Sequence, residues 1–206
     1  MKRKLIIIAS SICLVISIFL IGYFNYISTP EVMENKASLD LYAEDLSVIE
    51  LNSELIVKAK IKGIQDNYVE YNDLKIPSYG YTLTDIEVQK VYKGEDKLKN
   101  CVLKLREPSY YYKNDLGKKF IINSEGYTPL KQGETYVLFL SKSYMKDTYY
   151  CTGLYQGKFI LKDKNSEDKI LNSLDKVSAD DIDISETILN GNYKKLYKEV
   201  IDKYKD

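Results

Sequence analysis

The chain has 206 residues, with 30 basic and 30 acidic side chains and no histidine. The absence of histidine excludes Ser-His-Asp and Cys-His catalysis, zinc sites that use histidine, and histidine pH switches. The balanced charge gives no electrostatic reason to bind nucleic acid. We therefore expect no nucleic-acid partner, no cofactor and no metal.

The first predicted element is a hydrophobic helix near the amino terminus. Lys2, Arg3 and Lys4 precede an uncharged run of 22 residues, 5–26. A helix of about 20 apolar residues crosses the hydrocarbon core of a bilayer, and flanking basic residues tend to stay in the cytoplasm. We therefore predict that residues 1–28 are a cytoplasmic basic tip and a transmembrane signal anchor. This prediction makes the chain a single-pass cell-membrane protein whose carboxyl-terminal domain is extracellular.

A cleaved signal peptide is the alternative for this segment. Signal peptides carry an apolar stretch of about 7 to 15 residues, followed by small residues at the cleavage site. Here the apolar run is longer, and residues 22–28 offer no suitable pair of small residues. An uncleaved anchor is therefore the favoured interpretation.

A short segment with little periodicity follows the anchor. Residues 28–38 are polar and show no apolar period, whereas residues 39–51 have spaced apolar positions. The second pattern suggests a short helix or an irregular lead-in. We predict a stalk and lead-in over residues 29–53.

Two strand patterns come next. Apolar and charged residues alternate over 55–61, which predicts a strand with one buried face that ends near Gly63. Residues 81–92 form the second pattern, and its phase slips between Val88 and Val91 as a β-bulge would cause.

Further strand patterns fill the rest of residues 54–162. They lie at 101–105, 120–122, 136–140, 149–155 and 157–161. Several strands joined by short turns, without interleaved helices, are typical of antiparallel barrels and sandwiches. We predict a mainly β domain of five to six antiparallel strands, folded as a barrel or a sandwich.

The last predicted element is a C-terminal amphipathic helix. Residues 163–206 begin with an acidic linker, and the helical pattern follows within 185–204. Its apolar residues recur near helical spacing at Ile188, Leu189, Tyr193, Leu196, Val200, Ile201 and Tyr204. Such a stripe usually faces a core, so we expect the helix to pack on the barrel. A helix that binds a partner is the alternative.

Four short segments carry a resemblance to a known group of proteins. They are residues 54–59, 86–94, 130–140 and 155–159. In their order they resemble segments of uncharacterised, membrane-anchored bacterial surface proteins, whose outer domain is similar to the OB-type barrel of tissue inhibitors of metalloproteinases. The animal inhibitors chelate a protease zinc through an amino-terminal Cys-x-Cys edge. This domain begins without cysteine, so the resemblance transfers no functional residue. What it implies is the fold, a five- to six-stranded antiparallel OB-like barrel.

Two cysteines lie on predicted strands outside the membrane segment. Cys101 and Cys151 could form a disulfide in an oxidising exterior, or they could remain two buried free thiols. Their separation of 50 positions does not decide between these alternatives, because a bond requires Cα atoms within about 7 Å.

Tyrosines, of which the chain has 20, crowd the predicted loops and strand ends. Tyr79 and Tyr81 belong to this set. The candidate ligand-binding residues are Tyr110, Tyr111, Tyr112, Tyr127, Tyr149 and Tyr150. Exposed aromatic rings can stack on sugars or hold peptides, and OB-type barrels bind ligands through their loops. The alternative is that tyrosine simply fills half-buried strand and loop positions in a protein without tryptophan.

These patterns favour a non-enzymatic, membrane-anchored extracytoplasmic binding module. The expected partner is an envelope protein or glycan, bound through residues 107–130 and 141–148. The second hypothesis is an anchored cell-wall enzyme that pairs Glu107 with Asp115 or Glu125 as catalytic carboxylates. A protease inhibitor is the third hypothesis, and it rests on fold analogy alone.

Overall fold

A computed structural model describes residues 2–36, 41–173, 176–189 and 191–205, with side chains from residue 14 onward except that of residue 164. Over these residues the protein is mainly β. Its strands are β1 (Glu31–Asn35), β2 (Leu55–Tyr71), β3 (Pro77–Lys93), β4 (Val102–Glu107), β5 (Ser109–Lys113), β6 (Lys119–Ser124), β7 (Thr135–Lys142), β8 (Thr148–Cys151) and β9 (Lys158–Leu161). Its helices are α1 (Lys2–Ser28), α2 (Leu46–Asn52), α3 (Lys164–Asn172) and α4 (Gly191–Tyr204).

The larger sheet has six strands in the order β2-β3-β4-β8-β7-β9, and β7 also pairs with β2. Its neighbours are antiparallel except for β4 and β8, which are parallel. The predicted mainly β fold is confirmed. The expectation of a wholly antiparallel arrangement is wrong at the β4–β8 pair, because the β5–β6 hairpin and β7 intervene and the chain re-enters beside β4 in the same direction.

Strands β2 and β3 show how local pattern sets the register. Lys58 pairs with Lys90 and Ala59 with Val88, so the intervening residue of β3 bulges where the sequence phase slips, as predicted. The predicted end of the first strand at Gly63 is wrong. Gly63 adopts a φ of 133° at a further irregularity of the pairing, and β2 continues beyond it to Tyr71.

The second sheet has three strands in the order β1-β6-β5. The hairpin β5–β6 occupies the tyrosine-rich segment, and β6 includes the short strand predicted at 120–122. Within the segment predicted as a stalk, β1 pairs in parallel with β6, and Glu31 lies opposite Phe120. The segment predicted as a stalk thus contains a strand at residues 31–35. The local sequence pattern does not indicate this strand, because its hydrogen-bonding partners come from β6, far along the chain.

The C-terminal helix packs on the larger sheet, as predicted, but it begins at Gly191. Ile188 and Leu189 of the predicted stripe lie before it, at a short 3-10 turn over Glu186–Ile188. The buried residues of the helix are Tyr193, Leu196, Tyr197, Val200, Ile201 and Tyr204. The ring of Tyr204 meets that of Phe139 on β7 edge to face at 5.7 Å between centroids. The Tyr193 hydroxyl donates a 2.9 Å hydrogen bond to the Lys158 carbonyl. Because the apolar stripe is already covered, it is not free to bind a partner.

Helix α1 covers the predicted anchor. No helix within the described side chains is long and apolar enough to cross a membrane. Residues 5–13 of the predicted span lie outside those described side chains.

Candidate functional site: an arginine held among tyrosines

An exposed aromatic cluster lies where β2, β3 and β4 run side by side. Tyr68 on β2 is directly opposite Tyr81 on β3, and Tyr79 precedes Tyr81 by two residues. Residues two apart on a strand share a face, as do residues directly opposite one another. Arg106 on β4 lies opposite Leu83, which places it diagonally across from Tyr81 on that same face.

Tyrosine rings surround the guanidinium of Arg106. Its central carbon lies 4.8 Å from the centroid of Tyr81, 5.2 Å from that of Tyr144 and 5.7 Å from that of Tyr79. It also donates a hydrogen bond to the hydroxyl of Tyr79. Within the described part of the chain, its partners are thus tyrosines rather than carboxylates. Such cation–π contacts each contribute about 0.5–2 kcal/mol, and they hold the charge in place without neutralising it.

The turn between β7 and β8 supplies the remaining tyrosine of the cluster, Tyr144. Tyr144 in this turn is 81% exposed, and its hydroxyl lies 3.4 Å from that of Tyr79. A hydrogen bond of 2.9 Å from the Ser143 amide to the Thr148 carbonyl closes the turn. On the other side of the cluster, the rings of Tyr68 and Tyr81 stack at 5.1 Å. Burial is the main cause that raises the pKa of Tyr81, with Tyr144 and Tyr68 adding to it.

A cleft of about 370 Å³ opens beside this cluster, and we call it the Arg106 cleft. Its walls are Arg106, Pro108, Lys142, Ser143, Tyr144, Tyr150, Cys151, Gly153 and Leu154. The Lys142 ammonium lies 3.8 Å from the carboxylate of Glu54 and both side chains are well exposed, so this pair is a weak one. The Arg106 cleft therefore combines two cations with tyrosine faces, which suits a ligand that carries negative charge on a flat or ring-shaped body.

The tyrosines predicted as binding residues are distributed over three places. Tyr150 lines the Arg106 cleft. Tyr149, the preceding residue on β8, is half-buried and packs against the hydrophobic core. Tyr111 and Tyr112 are half-buried on β5, where Tyr112 stacks on Phe120 at 5.2 Å.

The two remaining tyrosines, Tyr110 and Tyr127, are buried. The ring of Tyr110 lies directly on Gly80 of β3, so closely that a Cβ at Gly80 would overlap it. Tyr127 donates a 2.9 Å hydrogen bond to the Glu107 carboxylate. Both side chains thus make contacts that the fold itself requires.

Arg106, Tyr68 and Tyr144 were not among the predicted site residues. The sequence contains a partial signal of this cluster. Tyr79 and Tyr81 are two residues apart, and residues two apart on a strand share a face. The register that brings Arg106 beside them depends on pairing across three strands, and no local pattern specifies it.

The carboxylates of the enzyme hypothesis lie in different surroundings. Glu107 is fully buried and accepts hydrogen bonds from the Tyr127 hydroxyl, the Leu130 amide at 2.8 Å and the Thr84 hydroxyl. Burial raises the pKa of Glu107 despite these bonds and the Lys158 charge, which lower it. Asp115 is exposed and lines a groove that Glu107 does not reach.

Cys101 directly precedes β4 and Cys151 ends β8. Both are free thiols, Cys101 exposed and Cys151 buried. Leu105 pairs with Tyr149 in parallel register, so Cys151 lies level with Glu107. Cys101 precedes Glu107 by six residues of extended chain, which is roughly 20 Å. Cys101 and Cys151 are therefore about that far apart. This separation is far beyond the reach of a disulfide. The alternative of two buried thiols holds for Cys151 and is wrong for Cys101, which is exposed.

Comparison with known proteins gives no assignment. No protein-family model matches the chain, and no curated protein matches it significantly. The function is therefore argued from the geometry of the site.

Proposed function

We infer that this protein is a non-enzymatic, membrane-anchored extracytoplasmic module that binds an anionic envelope glycan in the Arg106 cleft. The single observation that carries the proposal is the guanidinium of Arg106, held by three tyrosine rings at the edge of the cleft. A structural arginine is commonly paired with a carboxylate, which satisfies its charge. Here the charge remains available for an acidic group of a ligand.

The strand pairings support an OB-type barrel as the scaffold. They run from β2 through β3, β4, β8 and β7 and return to β2. OB-type barrels bind oligosaccharides and oligonucleotides on one face, between the loop that joins the first two strands and the loop that joins the last two. In this order those loops are the β2–β3 hairpin and the β7–β8 turn, and the turn supplies Tyr144.

The sequence of the first 26 residues supports the proposed location at the cell membrane. The uncharged run 5–26 is long enough to cross a bilayer, and the basic residues before it favour a cytoplasmic amino terminus. The barrel would then lie outside the cell membrane, where glycans with carboxylate or phosphate groups are abundant ligands and nucleic acid is not expected.

The test is binding of the detergent-solubilised full chain to cell-wall glycan with its acidic groups intact. We expect Arg106→Gln to weaken binding about tenfold, the equivalent of roughly 1.4 kcal/mol. The matched control is Lys104→Gln, which removes one positive charge from the same face of the same strand, at a residue that does not line the Arg106 cleft and that pairs with Asp85 at 3.3 Å.

The same glycan with its carboxylates esterified should lose binding to the wild-type chain. Equal effects of the Arg106 and Lys104 substitutions would reduce the interaction to general charge attraction and overturn the site. Tyr144→Ser provides a second probe, since Tyr144 is exposed and its removal should not perturb folding.

A further inference from the structure

Two hairpin turns at one end of the protein share both sequence and hydrogen bonding. Each reads Asn-Asp-Leu, at 72–74 between β2 and β3 and at 114–116 between β5 and β6. In each turn the asparagine Oδ1 accepts the amides two and four residues later, at 3.0 and 3.0 Å for Asn72 and at 3.1 and 2.9 Å for Asn114. In each, the asparagine carbonyl also accepts the amide three residues later at 2.9 Å. We call this pair the twin turns.

The twin turns present apolar side chains to solvent. Leu74 is 78% exposed and Leu116 is 60% exposed, and Ile76 beside Leu74 is 55% exposed. The asparagines supply the side-chain hydrogen bonds of these turns, so turn geometry does not require leucine at either tip. Lys75 and Ile76 of one turn and Asn114 and Asp115 of the other line one groove of about 590 Å³, so the two turns lie along a single edge, with Leu74 and Leu116 next to the lining residues in sequence. Clustered exposure of this kind marks an interaction surface.

Helix α1 ends against this edge. The Tyr23 hydroxyl donates a 3.0 Å hydrogen bond to the Leu116 carbonyl, and the Asn114 side chain donates one of 3.5 Å to the Tyr26 hydroxyl. The Lys118 ammonium lies 4.7 Å from the ring centroid of Tyr26. Tyr23 precedes the end of the proposed membrane span by three residues, about 4.5 Å along the helix axis. Leu116 is therefore level with the boundary between headgroups and acyl chains.

We propose that the twin turns are a lipid-contact surface, with Leu74, Ile76 and Leu116 inserted at the membrane boundary beside α1. This inference rests on the proposed anchor and adds a fixed orientation of the barrel to it. Tyrosine and lysine side chains favour this depth, since each has an apolar body and a polar tip. Tyr26 and Lys118 meet there.

The charges of the surface indicate what kind of membrane it fits. Each turn carries one acidic and one basic residue, Asp73 with Lys75 and Asp115 with Lys118. Electrostatic attraction to anionic lipid is therefore weak, and the apolar tips supply the contact. We expect the contact in vesicles of neutral phosphatidylcholine as well as in vesicles that contain phosphatidylglycerol.

The chain contains no tryptophan, so a single introduced tryptophan reports its own depth. The test reconstitutes the full chain in phosphatidylcholine vesicles, with and without lipids brominated on their acyl chains, carrying Leu74→Trp or Leu116→Trp. The matched control is Leu51→Trp. Leu51 is 80% exposed at the end of α2, and the whole of the 17-residue strand β2 lies between that end and the β2–β3 turn. Ile16→Trp, near the middle of the proposed span, reports the anchor itself.

We expect the bromine atoms to quench most of the fluorescence at positions 74 and 116 and to leave position 51 unchanged. Quenching at 16 alone would overturn the lipid-contact surface and leave the anchor standing. The absence of quenching at all four positions would overturn both. A shift of the emission at 74 and 116 to shorter wavelength without bromine quenching would mean that protein covers the turns, and this outcome also overturns the proposal.

Discussion

The ammonium of Lys158 lies 2.9 Å from the carboxylate of Asp183, and both side chains are buried. The same carboxylate oxygen accepts a 2.7 Å hydrogen bond from the Tyr136 hydroxyl, and the Lys131 ammonium lies 3.0 Å from the other oxygen. Lys158 also donates to the Thr128 hydroxyl at 2.7 Å. The pair thus ties β9 to β7, to the loop before β7, and to the segment that leads to α4.

Breaking this pair from one side should be costly. Asp183 has a φ of 57°, which asparagine tolerates, so Asp183→Asn removes the charge with little backbone effect. It leaves Lys158 buried and unpaired, and we expect a loss of about 3–5 kcal/mol of unfolding free energy in urea. Adding Lys158→Met should recover part of that loss. A double variant whose cost equals the sum of the single costs would show that the two residues do not interact.

The pH dependence of stability follows from the same pair. Burial acts to raise the pKa of Asp183, but the Lys158 charge and the hydrogen bonds from Tyr136, Lys158 and Lys131 outweigh it and hold the pKa below its ordinary value. A lowered pKa means that the unfolded state binds the proton more readily. Asp183 therefore contributes stability above the ordinary carboxyl pKa, and this contribution is lost as pH falls toward the lowered one. Acid unfolding of Asp183→Asn, followed by circular dichroism, should be less steep over that window.

Glu107 should respond in the opposite sense. Because burial raises its pKa, the native state holds the proton more tightly, and stability falls as pH rises from the ordinary carboxyl pKa to the raised one. Glu107→Gln can donate from its amide to Thr84 and accept from Tyr127 and Leu130, so it should fold and lose this slope. Glu107→Ala leaves those donors unsatisfied beside a cavity, and should cost about 3 kcal/mol or more. The measurement is the unfolding free energy of both variants from pH 4 to 8. Equal unfolding free energies of Glu107→Gln and Glu107→Ala would contradict this account.

The cysteines should differ in reactivity. Burial is the main cause that raises the pKa of Cys151 to about 12, and its side chain is shielded, whereas Cys101 is exposed. Iodoacetamide should label Cys101 in the native protein and Cys151 only after unfolding, as read by peptide mass spectrometry. A Cys101→Ser variant serves as the control that removes the labelled site. An intact mass lower by two hydrogen atoms before reduction, with a Cys101–Cys151 linked peptide, would contradict the separation along β4 and β8.

Tyr110 should prove a packing residue. Gly80→Ala would push a Cβ into the Tyr110 ring, and we expect it to cost about 1–3 kcal/mol of unfolding free energy. Gly191→Ala is the control, because Gly191 begins α4 with no atom within 4 Å of the added Cβ. That control should be neutral or slightly stabilising, since alanine favours helix. A thermal melt in which both variants match the wild type would place the Tyr110 ring elsewhere.

This contact also bears on how binding is assayed. Removal of Tyr110 together with Tyr111 and Tyr112 would combine a packing defect with any loss of ligand contact. Tyr111→Ser and Tyr112→Ser, which leave Gly80 covered, separate the two effects for the predicted tyrosine loop.

Sequence alone was sufficient where the signal is local. The alternation over 55–61 predicts a one-sided strand, the phase slip at 88–91 predicts the bulge, and the stripe of 188–204 predicts a packed helix. Each of these follows from the period of apolar residues along one element, because burial of one face imposes that period. The strand end predicted at Gly63 is wrong. Local propensity favours an end at this glycine, but pairing with β3 continues past it and keeps β2 in one piece.

The candidate site, by contrast, was decided by the tertiary structure. Arg106 joins Tyr79 and Tyr81 only through the register of β3 against β4, and Tyr144 reaches them only because β7 and β8 return to β4. The same holds for β1, which finds β6 across the chain, and for the distance that keeps Cys101 from Cys151. Strand registers and parallel pairings are set by contacts between residues far apart in the chain, and a pattern read along one segment carries no record of them.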